Sequence, residues 1–403
     1  MKASTDRIQV THAGSLPRTP ELVAANAARE FEDDGFTLKR TPEFDRLLSE
    51  AVTGLVRDQI DAGVTVVGDG EFGKASSNPT DYGAWWVYSF QRVTGLSLSE
   101  VHAFNEPEHL SEPGRVRLTS FHGRRDRKAF PDFYAELDTG RVATQFPSVT
   151  GPIEYKGHDL VAADVANLKA ALAATGEDEG FITSISPGSA ARIVNEHYAT
   201  DEEHVWAWAA ALREEYRAIT GAGLVLQIDD PSMAENFDAV NPEPAIEDYL
   251  AFTRIRLEAL NWALEGIPEE QVRFHLCWGS WHGPHTTDLE FRHIVGTMLE
   301  VRAGAYSFEA ANARHEHEWT IWEDVELPEG KLILPGVVSH ATNVVEHPEL
   351  VAQRIGNFAR LVGREAVVAS TDCGLGGRVH RDVAWAKLRA LAEGAALASS
   401  RLW

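Results

Sequence analysis

L-V-L-Q-I-D-D-P at residues 224–231 and V-R-F-H-L-C-W-G at residues 272–279 are two short apolar runs, each stopping at polar or metal-binding residue types. Between them, Pro244–Glu265 carries apolar residues at helical spacing. Strand, helix and strand in that order make the crossover unit that parallel strands require. Working outward, the unit recurs. Strands are predicted at Ile8–His12, Val64–Gly68, Phe181–Ile185, Leu224–Ile228, Val272–Cys277, Ala305–Glu309, Leu332–Val337 and Ala366–Ser370. Several are continuous apolar runs, as expected for parallel strands covered on both faces. Amphipathic helices are predicted at Phe44–Ala62, Asp159–Thr175, Asp201–Thr220, Pro244–Glu265, Asp288–Arg302, Pro348–Val362 and Asp382–Ser399. Several begin with Asp or Pro and end near Gly, the residues that suit helix starts and stops. Eight strands alternating with helices predict an α/β protein, a (β/α)8 TIM barrel.

Two regions break the rhythm. Residues 72–155 hold aromatic, Gly and Pro clusters, with Asp81–Phe90 among them, and a predicted hairpin from Arg141 to Tyr155. They are predicted to form an insertion after the second strand, as a lid or interface element. Residues 13–40 form a long first loop with a short helix around Pro20–Glu32. No internal repeat, low-complexity tract or Ser/Gly linker is visible, so one barrel over residues 1–403 is expected, with 72–155 inside it.

The hydrophobic share of 44% in 403 residues is ample for a sizeable core. A formal net charge of −24 opposes nucleic acid or an anionic membrane surface as partner. The N-terminus lacks an apolar signal segment, and no apolar stretch reaches membrane-spanning length. Two distant cysteines make no disulfide framework, which fits a reducing compartment. The expectation is a soluble cytoplasmic protein. The acidic surface is compatible with a monomer or a homo-oligomer.

Both cysteines, Cys277 and Cys373, sit where an apolar strand runs into a loop. His275 lies two residues before Cys277, and alternate strand residues point to one side. One imidazole nitrogen and two thiolates form a soft donor set that suits Zn²⁺, with one or two positions left to fill. The competing reading is that a strand cysteine is a small buried hydrophobe. In a barrel of this kind the active site forms at the C-terminal strand ends. There the sequence places Ser15, Glu71, Asp229 and Asp230, His275 and Cys277, Glu309, His340 and Cys373, after strands one, two, four, five, six, seven and eight. The third strand ends only in Ser186 and Pro187.

G-S-L-P-R-T near the N-terminus, Q-I-D-D-P, H-L-C, S-F-E, P-G-V-V-S-H and D-C-G-L-G follow one another from Thr11 to about Trp385. In this order they resemble the cobalamin-independent methionine synthases and their shorter relatives. H-x-C followed far downstream by D-C-G is the specific part. The resemblance implies zinc held by His275, Cys277, Glu309 and Cys373, a catalytic His340, and contacts to an amino-acid substrate from Ser15, Glu71 and Asp229. There are departures. W-G-S-W-H-G-P-H-T-T-D at residues 278–288 lengthens the loop between Cys277 and Glu309. The chain corresponds to the catalytic half of the full-length synthases, and their folate-stacking tryptophan motif is not found near Ser186–Ala191. The shorter relatives include epoxyalkane:coenzyme M transferases and corrinoid-dependent methyltransferases, so the resemblance implies the metal more narrowly than the substrate.

The chemistry follows from sulfur acidity. A thiol of pKa about 8.5 is mostly protonated at neutral pH, and only the thiolate is a good nucleophile. Zinc removes that proton while leaving a polarizable sulfur able to attack an alkyl group. The expected activity is a zinc-dependent thiol alkyl transfer, methyl to homocysteine or a related small thiol. Glu309 would be the exchangeable ligand and His340 the acid that protonates the leaving group. Alternatives are an enzyme that makes or breaks a thioether on another thiol such as coenzyme M, a metal-free decarboxylase of related fold, and a non-catalytic zinc scaffold. The expected partners are a small thiol and an alkyl donor, and the 72–155 insertion offers a docking surface for a corrinoid carrier protein. His282, His285, His315 and His317 form a competing candidate metal site, in which R-H-E-H-E-W at residues 314–319 is rich in donors.

Overall fold

The structure, a computed structural model, describes residues 1–76, 84–104, 106–138, 146–279 and 281–403. Eight parallel strands form one sheet: β1 (Gln9–Val10), β2 (Val67–Gly68), β3 (Gly180–Ile185), β4 (Val225–Asp229), β5 (Val272–Leu276), β6 (Ala305–Phe308), β7 (Leu332–Val338) and β8 (Val368–Thr371). From β2 to β8 each strand pairs with the next in sequence, and β8 pairs with β1. Val66 N donates to Val10 O at 3.0 Å and Thr11 Oγ1 to Val66 O at 3.0 Å, which brings β1 against the approach to β2. The ring is the expected (β/α)8 barrel.

β1 and β2 are shorter than predicted for a local reason. Val10 N donates to Thr65 Oγ1 at 2.9 Å, so a side chain takes a bond that a ladder would have used. Helices follow the strands, and their starts are read by their caps. Thr41 accepts from Phe44 N ahead of Pro42–Asp61, and Thr200 with Glu203 forms a capping box ahead of Asp201–Gly221. Ile246–Ala263, Pro348–Val362 and Arg381–Leu402 lie close to their predicted spans. Phe291–Leu299 is shorter than expected because the 281–290 loop runs on before it. No helix among the described residues is long and apolar enough to cross a membrane.

Register levels the barrel interior: Asp229 stands opposite His275, and His275 opposite Ser307. One layer below, Arg273 is buried, donates to Thr11 Oγ1 at 3.1 Å and His12 O at 2.8 Å, and lies over the Phe181 ring. Burial pulls its guanidinium down to about 9, against the charge of Asp229.

Between β2 and β3 the described residues include the helix Ala84–Phe90 and two short strands, Leu96–Leu98 and Pro147–Val149, paired antiparallel. Of the hairpin expected over 141–155, residues 141–145 lie outside the described residues, as do 81–83 of the aromatic cluster. Pro147–Val149 pairs with Leu96–Leu98, a partner distant in sequence rather than a local one. Arg92 ties this segment down. It donates to Asp164 Oδ2 at 2.5 Å and Glu215 Oε2 at 3.1 Å. Tyr88, Tyr155 and Ser184 also donate to the Glu215 carboxylate, at 2.7–2.8 Å. Replacing one partner of a buried ion pair leaves the other charge uncompensated. Arg92→Met is therefore expected to lower unfolding free energy by about 3–5 kcal/mol in urea titrations. A loss below about 1 kcal/mol, the range of exposed pairs, would show that the pair is not a structural tie.

Candidate metal centre and substrate pocket

Three of the four expected donors converge at the C-terminal end of the barrel. The ligand atoms of His275, Cys277 and Cys373 all lie within 4.8 Å of one another. His275 is the last but one residue of β5, and its Nδ1 is bonded to Ser307 Oγ at 3.0 Å. Its Nε2 is buried without a hydrogen-bond partner. Cys277 follows the last ladder residue of β5, and Cys373 comes two residues after β8. A hydrogen bond from Cys277, and then the charge of His275, hold the Cys373 thiol well below its usual range. Sharing that proton with Cys373, together with burial, pushes Cys277 well above. An orphaned imidazole nitrogen facing two sulfurs is a donor set that fits a soft divalent ion.

Glu309 stands one step aside. Its ligand atom lies within 4.8 Å of those of His340 and Asp372. Trp278 N donates to Glu309 Oε1 at 3.1 Å, and Asn312 Nδ2 donates to Oε2 at 2.7 Å. Burial and the neighbouring Asp372 raise its carboxyl well above the usual range. Among the described residues Arg314 makes no ion pair with Glu309; its guanidinium donates to Thr286 O. His340 is buried, its Nδ1 has no partner, and burial lowers it to about 4, so its ring is neutral at pH 7.

Asp372 was not among the expected site residues. Its Oδ1 accepts from Ala310 N and Ala311 N, both at 2.7 Å, and its Oδ2 from Asn312 Nδ2 at 3.2 Å. Its one sequence signal was an acid immediately before Cys373. Asn312 carried none.

The first and last loops are stitched together. Ser15 O accepts from Leu375 N at 2.8 Å and Gly376 N at 3.0 Å. A Cβ on Gly376 would lie 2.4 Å from Leu16 O, so this approach requires glycine in D-C-G-L-G. Arg18 Nη1 donates to Ser15 Oγ at 2.9 Å. Glu71 adopts φ 60°, rare for a residue with a Cβ. Its carboxylate lies against Gly14, where a Cβ would sit 2.6 Å from Oε1. Thr183 Oγ1 donates to Glu71 Oε1 at 3.0 Å, and Lys74 Nζ stands 3.4 Å from the same oxygen. Asp229 Oδ1 accepts from Gln227 Nε2 at 2.6 Å, and burial raises its carboxyl to about 7. Asp230 accepts from Ser189 and Ser232 hydroxyls, the role of a turn cap rather than of a substrate contact.

His285 and His315 are otherwise engaged. Asp288 Oδ2 is bonded to His285 Nδ1 at 3.0 Å and His315 Nε2 at 3.2 Å, and His315 Nδ1 to Glu318 Oε2 at 2.8 Å. Among the described residues they do not form a group of converging metal donors. His315 stacks on the Trp278 ring at 3.9 Å between centroids and so braces the residue that follows Cys277. Burial would lower His315, but its bonds to Asp288 and Glu318 prevail and push it up to about 10. Its folded pKa thus exceeds the ordinary value of about 6.5. The stabilisation is complete below about pH 6.5 and is lost as pH rises through about 10. The stability gap between the native protein and His315→Gln is expected to shrink by about 1–3 kcal/mol from pH 6.5 to pH 10. A gap that stays constant over that range would exclude a charged His315.

The chain matches the family described as "Cobalamin-independent synthase, Catalytic domain" over residues 156–396. It is similar to 2-hydroxypropyl-CoM lyase of Xanthobacter autotrophicus, 24% identical over 382 residues, covering 88% of this chain and 86% of that protein. It is also similar to the methionine synthase of Thermococcus kodakarensis, 26% identical over 203 residues, covering 50% of this chain and 51% of that one. Among solved structures, a B12-independent methionine synthase from Shewanella sp. W3-18-1, in complex with selenomethionine, shares the fold with a TM-score of 0.70. That match has 19% identity and covers 98% of this chain and 99% of the other. The ring of eight strands, the donors at their C-terminal ends and the matched residues agree: this chain belongs to the cobalamin-independent synthase catalytic-domain family.

Proposed function

We propose that this protein is a zinc-dependent alkyltransferase acting on a small thiol, with methyl transfer to homocysteine or a related thiol as its reaction. One barrel over residues 1–403, with 72–155 as an insertion covering it, would carry the activity. The observation behind the reading is the His275, Cys277 and Cys373 donor set, with the orphaned His275 Nε2, at the functional end of the barrel. His275, Cys277 and Cys373 would hold zinc, and Glu309 would be the exchangeable fourth ligand. Bound zinc would supply Lewis acidity that keeps a substrate sulfur deprotonated yet nucleophilic near pH 7. Trp278 N and Asn312 can keep the Glu309 carboxylate bonded when it yields its place.

The proton has a carrier. His340, neutral at pH 7, takes the proton from the incoming thiol. The sulfur's electron pair forms the new S–C bond while the old bond to carbon breaks, its pair leaving with the donor group. His340 then returns its proton to that group. Ser15, Glu71 and Asp229 orient the thiol substrate's other end.

A second reading keeps the metal and changes the thiol: a reaction that makes or breaks a thioether on coenzyme M. The relative named 2-hydroxypropyl-CoM lyase, aligned over 88% of this chain, favours it. A catalytic zinc keeps an open position, whereas a scaffold zinc is closed and inert.

Zinc-edge X-ray absorption, with and without homocysteine, tests the reading. A rise from two sulfur ligands to three is expected on adding the thiol. Zinc unmoved by homocysteine or coenzyme M would instead indicate a structural site. The double variant Cys277→Ser/Cys373→Ser is expected to fall from about one zinc per chain to near none while keeping its far-UV circular dichroism. Retained zinc would remove these residues as ligands. His340→Gln is expected to lower turnover at least about 100-fold, the usual scale of acid–base catalysis; full turnover would end its role as proton carrier.

A further inference from the structure

The pocket already holds a cation where an amino-acid thiol would bring one. Glu71 and Asp229 are the carboxylates expected to receive a substrate ammonium, and each is 5% exposed. Lys74, 3% exposed, has its Nζ 3.4 Å from Glu71 Oε1. The ammonium donates to Thr183 Oγ1 at 2.5 Å, and Thr183 donates on to the same Glu71 oxygen at 3.0 Å. The Tyr88 and Trp85 rings lie over the ammonium, with centroids at 4.9 and 5.2 Å. Its charge also bears on Asp229. Arg18 adds a second buried cation, donating to Ser15 Oγ at 2.9 Å and to the Glu71 and Lys74 carbonyls at 2.6 and 3.1 Å.

We infer that Lys74 stands in for a substrate ammonium, so that the acceptor is a mercaptoalkane carboxylate or sulfonate without an amino group. The inference rests on the thiol alkyltransferase reading and narrows its substrate. Charge decides the point. The Glu71 carboxylate already has the Lys74 ammonium beside it, and the Arg18 guanidinium is bonded to the Glu71 backbone. A substrate ammonium placed on Glu71 would stand beside that of Lys74 and be repelled by it. An anionic end meets the Lys74 ammonium and the Arg18 guanidinium instead. Lys74 thus sets specificity without touching the reacting sulfur.

The test uses two thiols that differ only in the amino group, homocysteine and 4-mercaptobutyrate. Each is titrated calorimetrically into the zinc-loaded protein, and zinc-edge absorption reports added sulfur ligation. Native protein is expected to bind 4-mercaptobutyrate at least tenfold tighter than homocysteine. In Lys74→Met, Glu71 and Asp229 are released to take the ammonium, and the preference is expected to vanish or reverse; Lys74→Arg is expected to keep it. Homocysteine binding to native protein as tightly as 4-mercaptobutyrate overturns this inference alone, and needs no variant to fold. A preference unchanged in a metal-loaded Lys74→Met also overturns it. If neither thiol, nor coenzyme M, adds a sulfur to the zinc, the alkyltransferase reading falls and this inference with it.

Discussion

Asp372 sits between β8 and Cys373, and its carboxylate reaches across to the loop after β6. Two backbone amides and one side-chain amide there donate to it, from Ala310, Ala311 and Asn312. Glu309 immediately precedes these donors, so one buried carboxylate fixes two candidate ligands from different strands relative to each other. The approach is close enough that a Cβ on Gly336 of β7 would lie 2.3 Å from the Asp372 Cα. Burial still pushes this acid up to about 6 despite its bonds. A buried acid whose acceptors are all engaged gives geometry that a mobile loop could not hold.

A similar logic runs round the rim. Ser307 orients His275, Trp278 N holds Glu309, and the His315 ring braces Trp278. The Asp288 bridge between His285 and His315 anchors the long 278–288 loop beside these residues. Each candidate ligand therefore has a partner on a different strand or loop. Such cross-bracing lets a site keep its shape while one ligand leaves and another enters.

The barrel was legible because its strands are apolar runs with abrupt polar ends, and Pro348–Val362 lies where its period and proline put it. The donors were legible for a related reason: Cys and His are uncommon residues, and at strand ends they stand out. What stayed hidden was made by approach in space. Thr183 sits mid-strand in I-T-S, and nothing in that triplet points at Glu71. Lys74 carries no signal in G-E-F-G-K, and only the fold places it against a carboxylate and two rings. The histidines of the long loop read as donors because Asp288, 27 residues from His315, could not be seen between them. The insertion was visible as a break in rhythm, but the pairing of Leu96–Leu98 with Pro147–Val149 depends on a contact across many residues.

The stitching of the first loop to the last, through Ser15 O and the amides of Leu375 and Gly376, bears on how the protein is made. His275 and Cys277 leave the ribosome well before Cys373, and β1 gains its paired ladder strand only when β8 arrives. During synthesis the half-built centre is one imidazole and one thiol on an open sheet, a poor trap for any soft ion in the cell. For a metal held as proposed, selection is thereby deferred to the finished chain, when ring closure and the second sulfur come together.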